Sequence, residues 1–311
     1  MSSPDSALEA RLRKNIEGDV LFDAFSRGRY ATDASIYQIV PQGVTVPKTE
    51  ADLAAIIEIA HEEGLTLLPR GGGTSQSGQT VGDALIVDFS KYLHKITSLD
   101  PDARTCTVQP GIVLDRLNSE LKQHGLWFPV DVSTASRATI GGMAGNNSCG
   151  TRSIRYGIMR DNVTAIDAIL ADGTQARFAE VPRNQNQLNA PSPALELMRD
   201  LIEIGRRRKK HIGKAFPKVS RRVGGYLLDA LVPGDAPINL SQILIGSEGT
   251  LAFSRAIELK LSPLPKNKAL GVCHFPTFRK AMEAAQHIVK LGPSAVELID
   301  KNLIELARDI R

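Results

Sequence analysis

Apolar residues recur at helical spacing in some stretches of the chain and in short unbroken runs in others. Thr49 stands before one helical stripe (Leu53, Ile56, Ile57 and Ala60), Asp52 lies three residues on, and Gly64 closes the pattern, as in a capped helix. Val113, Leu117 and Leu121 mark a second helix stopped by Gly125, and the spacing predicts a third over 195–209. Residues 1–38 read as an amphipathic helical lead-in. Apolar runs at 65–68, 84–89, 163–170, 243–245 and 252–261 predict strands, with Asp172-Gly173 supplying a turn. After Pro263 and Pro265 the pattern predicts strands near 270–275 and 295–299, a helix over 278–291 and a last helix. No solenoid or propeller period is visible.

The chain has 311 residues, enough for two domains or for one with a subdomain. Its hydrophobic content of 42% and charged content of 23% are those of an ordinary globular protein, and a net charge of +4 gives no global pull toward nucleic acid or membrane. No apolar run approaches membrane-spanning length, and Met1–Ala10 lacks the apolar segment of a targeting signal. Cys106, Cys149 and Cys273 are far apart and form no Cys-x-x-Cys pair, which favours reduced thiols in a cytoplasmic protein and gives no zinc or iron–sulfur signature. The six histidines are scattered without metal-ligand spacing. Nine Lys and Arg side chains crowd residues 206–222, read either as a solvated helix end or as a patch for a carboxylate or a docking partner.

Two glycine clusters carry the chemistry. Pro69-Arg-Gly-Gly-Gly-Thr-Ser-Gln-Ser-Gly-Gln79 lies between two predicted strands. Convergent backbone N–H groups unshielded by side chains bind phosphate, and Arg70, Thr74, Ser75 and Ser77 add donors. A P-loop needs lysine where Gln79 stands, and a dinucleotide fingerprint needs a helix directly after its glycines. A plain surface turn is the remaining alternative. The second cluster, Thr139 to Gly157, holds five glycines and the pair Asn146-Asn147. Glycines that dense let a planar ring lie against backbone, and asparagine amides serve its mixed donor and acceptor edge.

These clusters, with Asp161-Asn-Val and Ile245-Gly-Ser-Glu-Gly-Thr-Leu251 in this order, resemble the FAD-binding domain of the vanillyl-alcohol oxidase / p-cresol methylhydroxylase (PCMH) superfamily, in its D-lactate, glycolate and D-2-hydroxyglutarate dehydrogenase branch. Arg222-Val-Gly-Gly-Tyr-Leu-Leu-Asp229, Gly271-Val-Cys-His-Phe-Pro276 and Val296-Glu-Leu-Ile-Asp300 are similar to the large bacterial proteins that join such a dehydrogenase to an iron–sulfur region. The resemblance implies an α+β class: a two-subdomain PCMH-type fold over 40–262 after a lead-in at 1–39, then the start of an α/β substrate domain over 266–311, left incomplete. That incompleteness predicts exposed apolar surface and self-association or a partner.

The resemblance also implies the roles. Arg70, Gly71, Gly72, Gly73 and Thr74, with Ser75 and Gly78, hold the pyrophosphate. Pro129, Asp131, Thr139, Ile140, Gly141 and Gly142 line the flavin with Gly145, Asn146, Asn147 and Gly150. Tyr156 and Gly157 end that motif, Val163 passes the adenine, and Glu248 and Gly249 close over the nucleotide. Thr74 stands where some relatives carry a flavin-linking histidine, so FAD is expected to be non-covalent. Asn147-Ser-Cys-Gly150 departs mildly from the family's second loop and leaves a thiol near the flavin. The reaction implied is oxidation of a D-2-hydroxy acid, D-2-hydroxyglutarate or D-lactate, with electrons passed to an iron–sulfur region outside this chain or to a separate carrier, in the cytoplasm or peripherally at the inner membrane face. Arg222, Tyr226 and His274 are the catalytic candidates, Arg221 a further carboxylate candidate, and Glu297 and Asp300 pocket acids. The usual histidine-rich metal-binding and base positions are expected beyond Arg311. A sugar or alcohol oxidase, and an FAD-binding fragment inactive by itself, are the alternatives.

Overall fold

The computed structural model describes residues 6–181, 190–219 and 221–310. Four strands, β1 (Asp19–Leu21), β2 (Gly43–Val46), β3 (Leu67–Arg70) and β4 (Leu85–Asp88), form a sheet of order β1-β2-β4-β3. β2, β4 and β3 are parallel, and β1 is antiparallel to β2. β2 and β4 are buried along their whole length, which explains why they read as continuous apolar runs. Parallel neighbours need a crossover. Between β3 and β4 that crossover is the first glycine loop rather than a helix, so adjacent strands anchor both of its ends.

The helix Glu50–Glu63 packs Leu53, Ile56 and Ile57 into the core beside Phe22 and Leu85. The expected cap forms: Thr49 Oγ1 accepts the Asp52 N–H at 3.1 Å, and Asp52 accepts back from the Thr49 N–H. Gly64 ends the helix at φ 65°, a conformation that a side chain would strain.

The second sheet contains β5 (Ile96–Asp100), β6 (Thr105–Val108), β8 (Val163–Ile169), β9 (Gln175–Phe178) and β10 (Phe253–Lys260), all antiparallel, in the order β5-β6-β10-β8-β9. A separate pair joins β7 (Leu126–Trp127) to β11 (Ser262–Pro263). β10 is inserted between β6 and β8 from far along the chain, with Ile257 opposite both Val108 and Ile166. That insertion brings the Gly246–Thr250 turn, just before β10, to the glycine-rich segments. Phe253 joins the apolar cluster of the first sheet, its ring centroid 6.1 Å from that of Phe89.

Five elements differ from expectation. The lead-in is helical over Ser6–Asn15 and Ala24–Arg29, but Asp19–Leu21 adds β1 to the first sheet and buries Val20. Residues 243–245, expected as a strand, lie at the end of a helical turn, Ser241–Leu244. There the Asn239 side chain accepts the Ser241 N–H at 2.9 Å and turns the chain. A three-residue apolar run cannot by itself distinguish a strand from a buried turn. The third helix runs from Pro193 to Ala215, through most of the basic segment, where cations suit the negative helix end.

Finally, 270–275 and 295–299 form no strand. Among the described residues none pairs with them, and an extended segment without a ladder leaves its backbone to water. Residues 266–310 bury no described side chain, and Leu270, Val272, Leu291 and Leu306 are exposed. No described helix is long and apolar enough to cross a membrane.

Candidate cofactor site

Three glycine-bearing segments meet around a cleft of about 1260 Å³. The first is the loop after β3. Its approach to the second cluster is so close that a Cβ on Gly71 would lie 2.1 Å from Thr139 Oγ1, and one on Gly72 2.3 Å from the Arg137 carbonyl oxygen. The second cluster folds as the helix Ile140–Asn146, with Thr139 at its N-cap and Asn147 at φ 51° closing it. Gly141 allows that helix to seat on Pro110, which a Cβ would meet at 2.6 Å. The third segment is the Gly246–Thr250 turn. Its Gly246 and Glu248 N–H groups donate to the carbonyls of Ala144 and Gly145, each at 3.0 Å, and Gly249 at φ 75° lies under Pro69.

Arg70 shapes this cleft. Its Nη1 donates to the carbonyls of Tyr30 (3.2 Å) and Thr80 (2.9 Å), and its Nη2 to that of Thr32 (2.7 Å). Burial lowers its pKa against the pull of Asp88, Asp33 and Tyr30. Three of its five N–H groups are therefore spent on its own chain. Asp131 likewise braces the second loop, accepting the Arg152 N–H at 3.1 Å and the Thr151 hydroxyl at 2.8 Å. A Cβ on Gly150 would strike the Asp131 carbonyl oxygen at 2.0 Å. Asn147, fully buried, accepts the Arg160 N–H at 3.2 Å. Burial raises the pKa of the Glu248 carboxyl, and a hydrogen bond from Gln79 partly offsets the rise.

The cleft wall brings together Arg70, Gly71, Gly72, Gly73, Thr74 and Ser75 with Asp131, Thr139, Gly141 and Gly142. Gly145, Asn146, Asn147, Gly150, Glu248 and Gly249 complete the predicted residues on it. The remaining predicted residues stand elsewhere. Gly78, at φ 80°, lies over the Tyr37 ring. Pro129, Ile140 and Val163 are buried in the interior. Tyr156 packs edge-on against Trp127 at 5.4 Å, and the Arg152 guanidinium stacks over the Trp127 ring. Gly157 and Arg222 line a smaller pocket of about 270 Å³.

None of the three catalytic candidates reaches the cleft wall. Arg222 forms an ion pair with Asp229, which Arg160 also contacts at 3.3 Å. Tyr226 hydrogen-bonds Thr250 at 2.7 Å, and His274 is exposed. Asp300 caps the last helix, accepting the Asn302 N–H at 2.7 Å, whereas Glu297, Cys149 and Arg221 do line the cleft. Sequence reading passed over Val132-Ser133-Thr134 and Phe253, which line it too and carry no motif of their own.

These features fit a dinucleotide. The volume exceeds the roughly 300–1,000 Å³ of most small-ligand pockets, and Gly71, Gly72, Gly150 and Gly249 stand where a Cβ would force the packed segments of its wall apart. Residues 41–179 match the FAD binding domain family, and residues 264–311 match the C-terminal domain of the FAD linked oxidases. D-2-hydroxyglutarate dehydrogenase of Pantoea ananatis is 33% identical over 308 residues, covering 97% of this chain and 30% of that protein. The Escherichia coli K12 protein of the same name is 32% identical over 305 residues, with 96% and 30% covered. Glycolate oxidase subunit GlcD of Bacillus subtilis is 27% identical over 300 residues, covering 94% of this chain and 53% of that one. The chain thus spans about a third of the dehydrogenases it matches. Alkyldihydroxyacetonephosphate synthase shares the fold, with a TM-score of 0.67 at 18% identity over 95% of this chain and 48% of its own. Two glycine loops, the turn that closes on them and the matched families converge on one conclusion: the chain carries an α+β domain that matches the FAD binding domain family, joined to sequence that matches the C-terminal domain of the FAD linked oxidases.

Proposed function

We propose that this chain binds FAD non-covalently in the cleft and is the flavin-bearing part of an enzyme oxidising a D-2-hydroxy acid, of the D-2-hydroxyglutarate or D-lactate type, to the 2-oxo acid. The observation that carries the reading is the convergence of three glycine segments on one dinucleotide-sized cleft, in a chain whose relatives include D-2-hydroxyglutarate dehydrogenases. Backbone N–H groups of Gly71–Ser75, with the Thr74 and Ser75 hydroxyls, hold the pyrophosphate. The exposed backbone of Gly142 and the Asn146 amide lie against the ring system. Thr74 has only an unactivated hydroxyl, a weak nucleophile for a covalent link. Bound FAD supplies the hydride acceptor. Glu248, its carboxyl pKa raised by burial, holds a proton to higher pH than an exposed acid. Electrons leave to an iron–sulfur region outside this chain or to a separate carrier.

A second reading is that the chain holds FAD without turning over by itself. One observation favours it: among the described residues, the cleft wall contains no histidine, lysine or tyrosine to take the hydroxyl proton. One spectrum separates the two readings. The chain is purified with FAD, precipitated with acid, and separately mixed with D-2-hydroxyglutarate or D-lactate. Flavin released into the supernatant and bleached by a hydroxy acid supports the full reading. Release without bleaching supports the second, and absence of flavin after reconstitution overturns both.

The cysteines give an independent check. Burial pushes the Cys106 thiol up to about 12, whereas Cys149 lines the cleft and Cys273 is exposed. Thiolate is the reactive form. Iodoacetamide at pH 8 is expected to alkylate Cys149 and Cys273 and to spare Cys106. Saturating FAD should slow Cys149 at least tenfold and leave Cys273 unchanged. An unchanged Cys149 rate would show that the cofactor does not cover the second loop.

A further inference from the structure

We propose that Arg221 forms a carboxylate subsite on the wall of the cleft, taking the carboxylate of a small 2-hydroxy or 2-oxo acid. The inference rests on the reading of this cleft as the flavin site. Among the described residues only two cations, Arg70 and Arg221, line it. Arg70 is committed: its guanidinium binds three backbone carbonyls and lies 5.3 Å from the centroid of the Tyr30 ring. Arg221 is exposed and, among the described residues, makes one hydrogen bond, Nη1 to the Gly150 carbonyl oxygen at 3.2 Å. No ion pair joins it to a described carboxylate.

Asp131, Glu248 and Glu297 share the wall, and no ion pair joins any of them to Arg221. Asp131 has given both oxygens to the Thr151 hydroxyl and the Arg152 N–H. Glu248 is hydrogen-bonded by Gln79. A guanidinium carries five N–H donors in a planar fork that matches a carboxylate with two parallel bonds. With one N–H spent on Gly150, the fork still has an edge to offer.

The neighbouring structure holds Arg221 in place. Arg222 is fixed by its ion pair with Asp229 and lies 4.5 Å from the Phe216 ring centroid, and Arg160 ties the same Asp229 to the turn below the second loop. Arg221 therefore projects from an anchored segment toward Gly150, the residue at which the second glycine loop ends. Carboxylate recognition falls to Arg221, while the adjacent Arg222 serves its ion pair.

The test uses the whole chain reconstituted with FAD and titrated calorimetrically with 2-oxoglutarate and with pyruvate, neither of which can reduce the flavin. R221Q is expected to weaken binding of the better ligand at least tenfold, with FAD affinity within twofold of the unaltered chain and R221K recovering part of the loss. Equal ligand affinity in R221Q overturns the subsite. A parallel loss of FAD affinity in R221Q also overturns it, and assigns the arginine to the nucleotide or to bracing the loop. FAD bound with no response to either ligand in the unaltered chain overturns the subsite and leaves the flavin reading standing. Failure to bind FAD overturns both.

Discussion

Replacing Gly72 by alanine is expected to lower FAD affinity on the order of 10- to 100-fold, about 1.4–2.7 kcal/mol, without unfolding the chain. The added methyl would sit 2.3 Å from the Arg137 carbonyl oxygen and 3.0 Å from its carbon. Those are backbone atoms, and no rotamer relieves the clash. The Ala138 N–H is bonded to the Thr134 carbonyl at 2.8 Å and the Ala138 carbonyl to the Leu114 N–H at 3.0 Å, so residue 137 lies in a held segment. The loop over Gly71–Ser75 must lift instead, and the N–H groups that converge on a diphosphate move apart with it. Gly72 itself is exposed at the loop surface, so little core packing is lost. Gly213→Ala is the control. It lies in the last turn of the helix Pro193–Ala215 with nothing within 4 Å of its Cβ position, and alanine there should leave FAD affinity unchanged and stabilise by up to about 1 kcal/mol. Fluorescence titration with FAD reads both variants. An unaltered affinity in Gly72→Ala would remove the first loop from the cofactor site.

Motifs that act through backbone were legible in the sequence. The glycines at 71, 72, 141 and 249 mark places where two chain segments come closer than a side chain permits, and residue type alone records that. Thr49, Asp52 and Gly64 were legible for the same local reason. What escaped was long-range. Arg70 carries the charge expected of a phosphate ligand, yet its partners are carbonyls at positions 30, 32 and 80, two of which lie some forty residues away. Arg221 and Arg222 are indistinguishable in sequence and part company only because Asp229 and Phe216 claim one of them. The insertion of β10 between β6 and β8, which brings Phe253 and the Gly246–Thr250 turn to the cleft, is likewise a pairing no local pattern encodes. The strands expected at 270–275 and 295–299 show the converse: local propensity without a neighbouring strand makes no sheet.

The largest expected effect on stability belongs to Asp52, far from the cleft. Its side chain is 3% exposed and accepts four backbone N–H groups: Glu17 and Gly18 at 3.0 Å, Lys48 at 2.8 Å and Thr49 at 3.4 Å. One carboxylate thus joins the first helix's exit, the end of β2 and the start of the helix Glu50–Glu63. Asp52→Ala strands those donors in a water-poor site and is expected to cost about 2–4 kcal/mol, lowering Tm by about 3–6 °C. Thr49→Ala, which removes only the reciprocal cap, should cost about 1 kcal/mol. The pH dependence follows from the same bonds. Burial pushes the Asp52 pKa up, but the N–H groups of Glu17, Lys48 and Thr49 outweigh it and hold the carboxyl below its usual range. A folded pKa below the unfolded value of about 3.9 means that the stabilisation is fully present above that pH and is lost as pH falls through the folded pKa. Urea unfolding between pH 7 and pH 3 should therefore show a steeper acid loss of stability in the unaltered chain than in Asp52→Asn. Asp52→Asn turns an amide N–H₂ toward donors and begins from a lower plateau. Parallel acid limbs for the two proteins would show that Asp52 is not the group whose protonation loosens this junction.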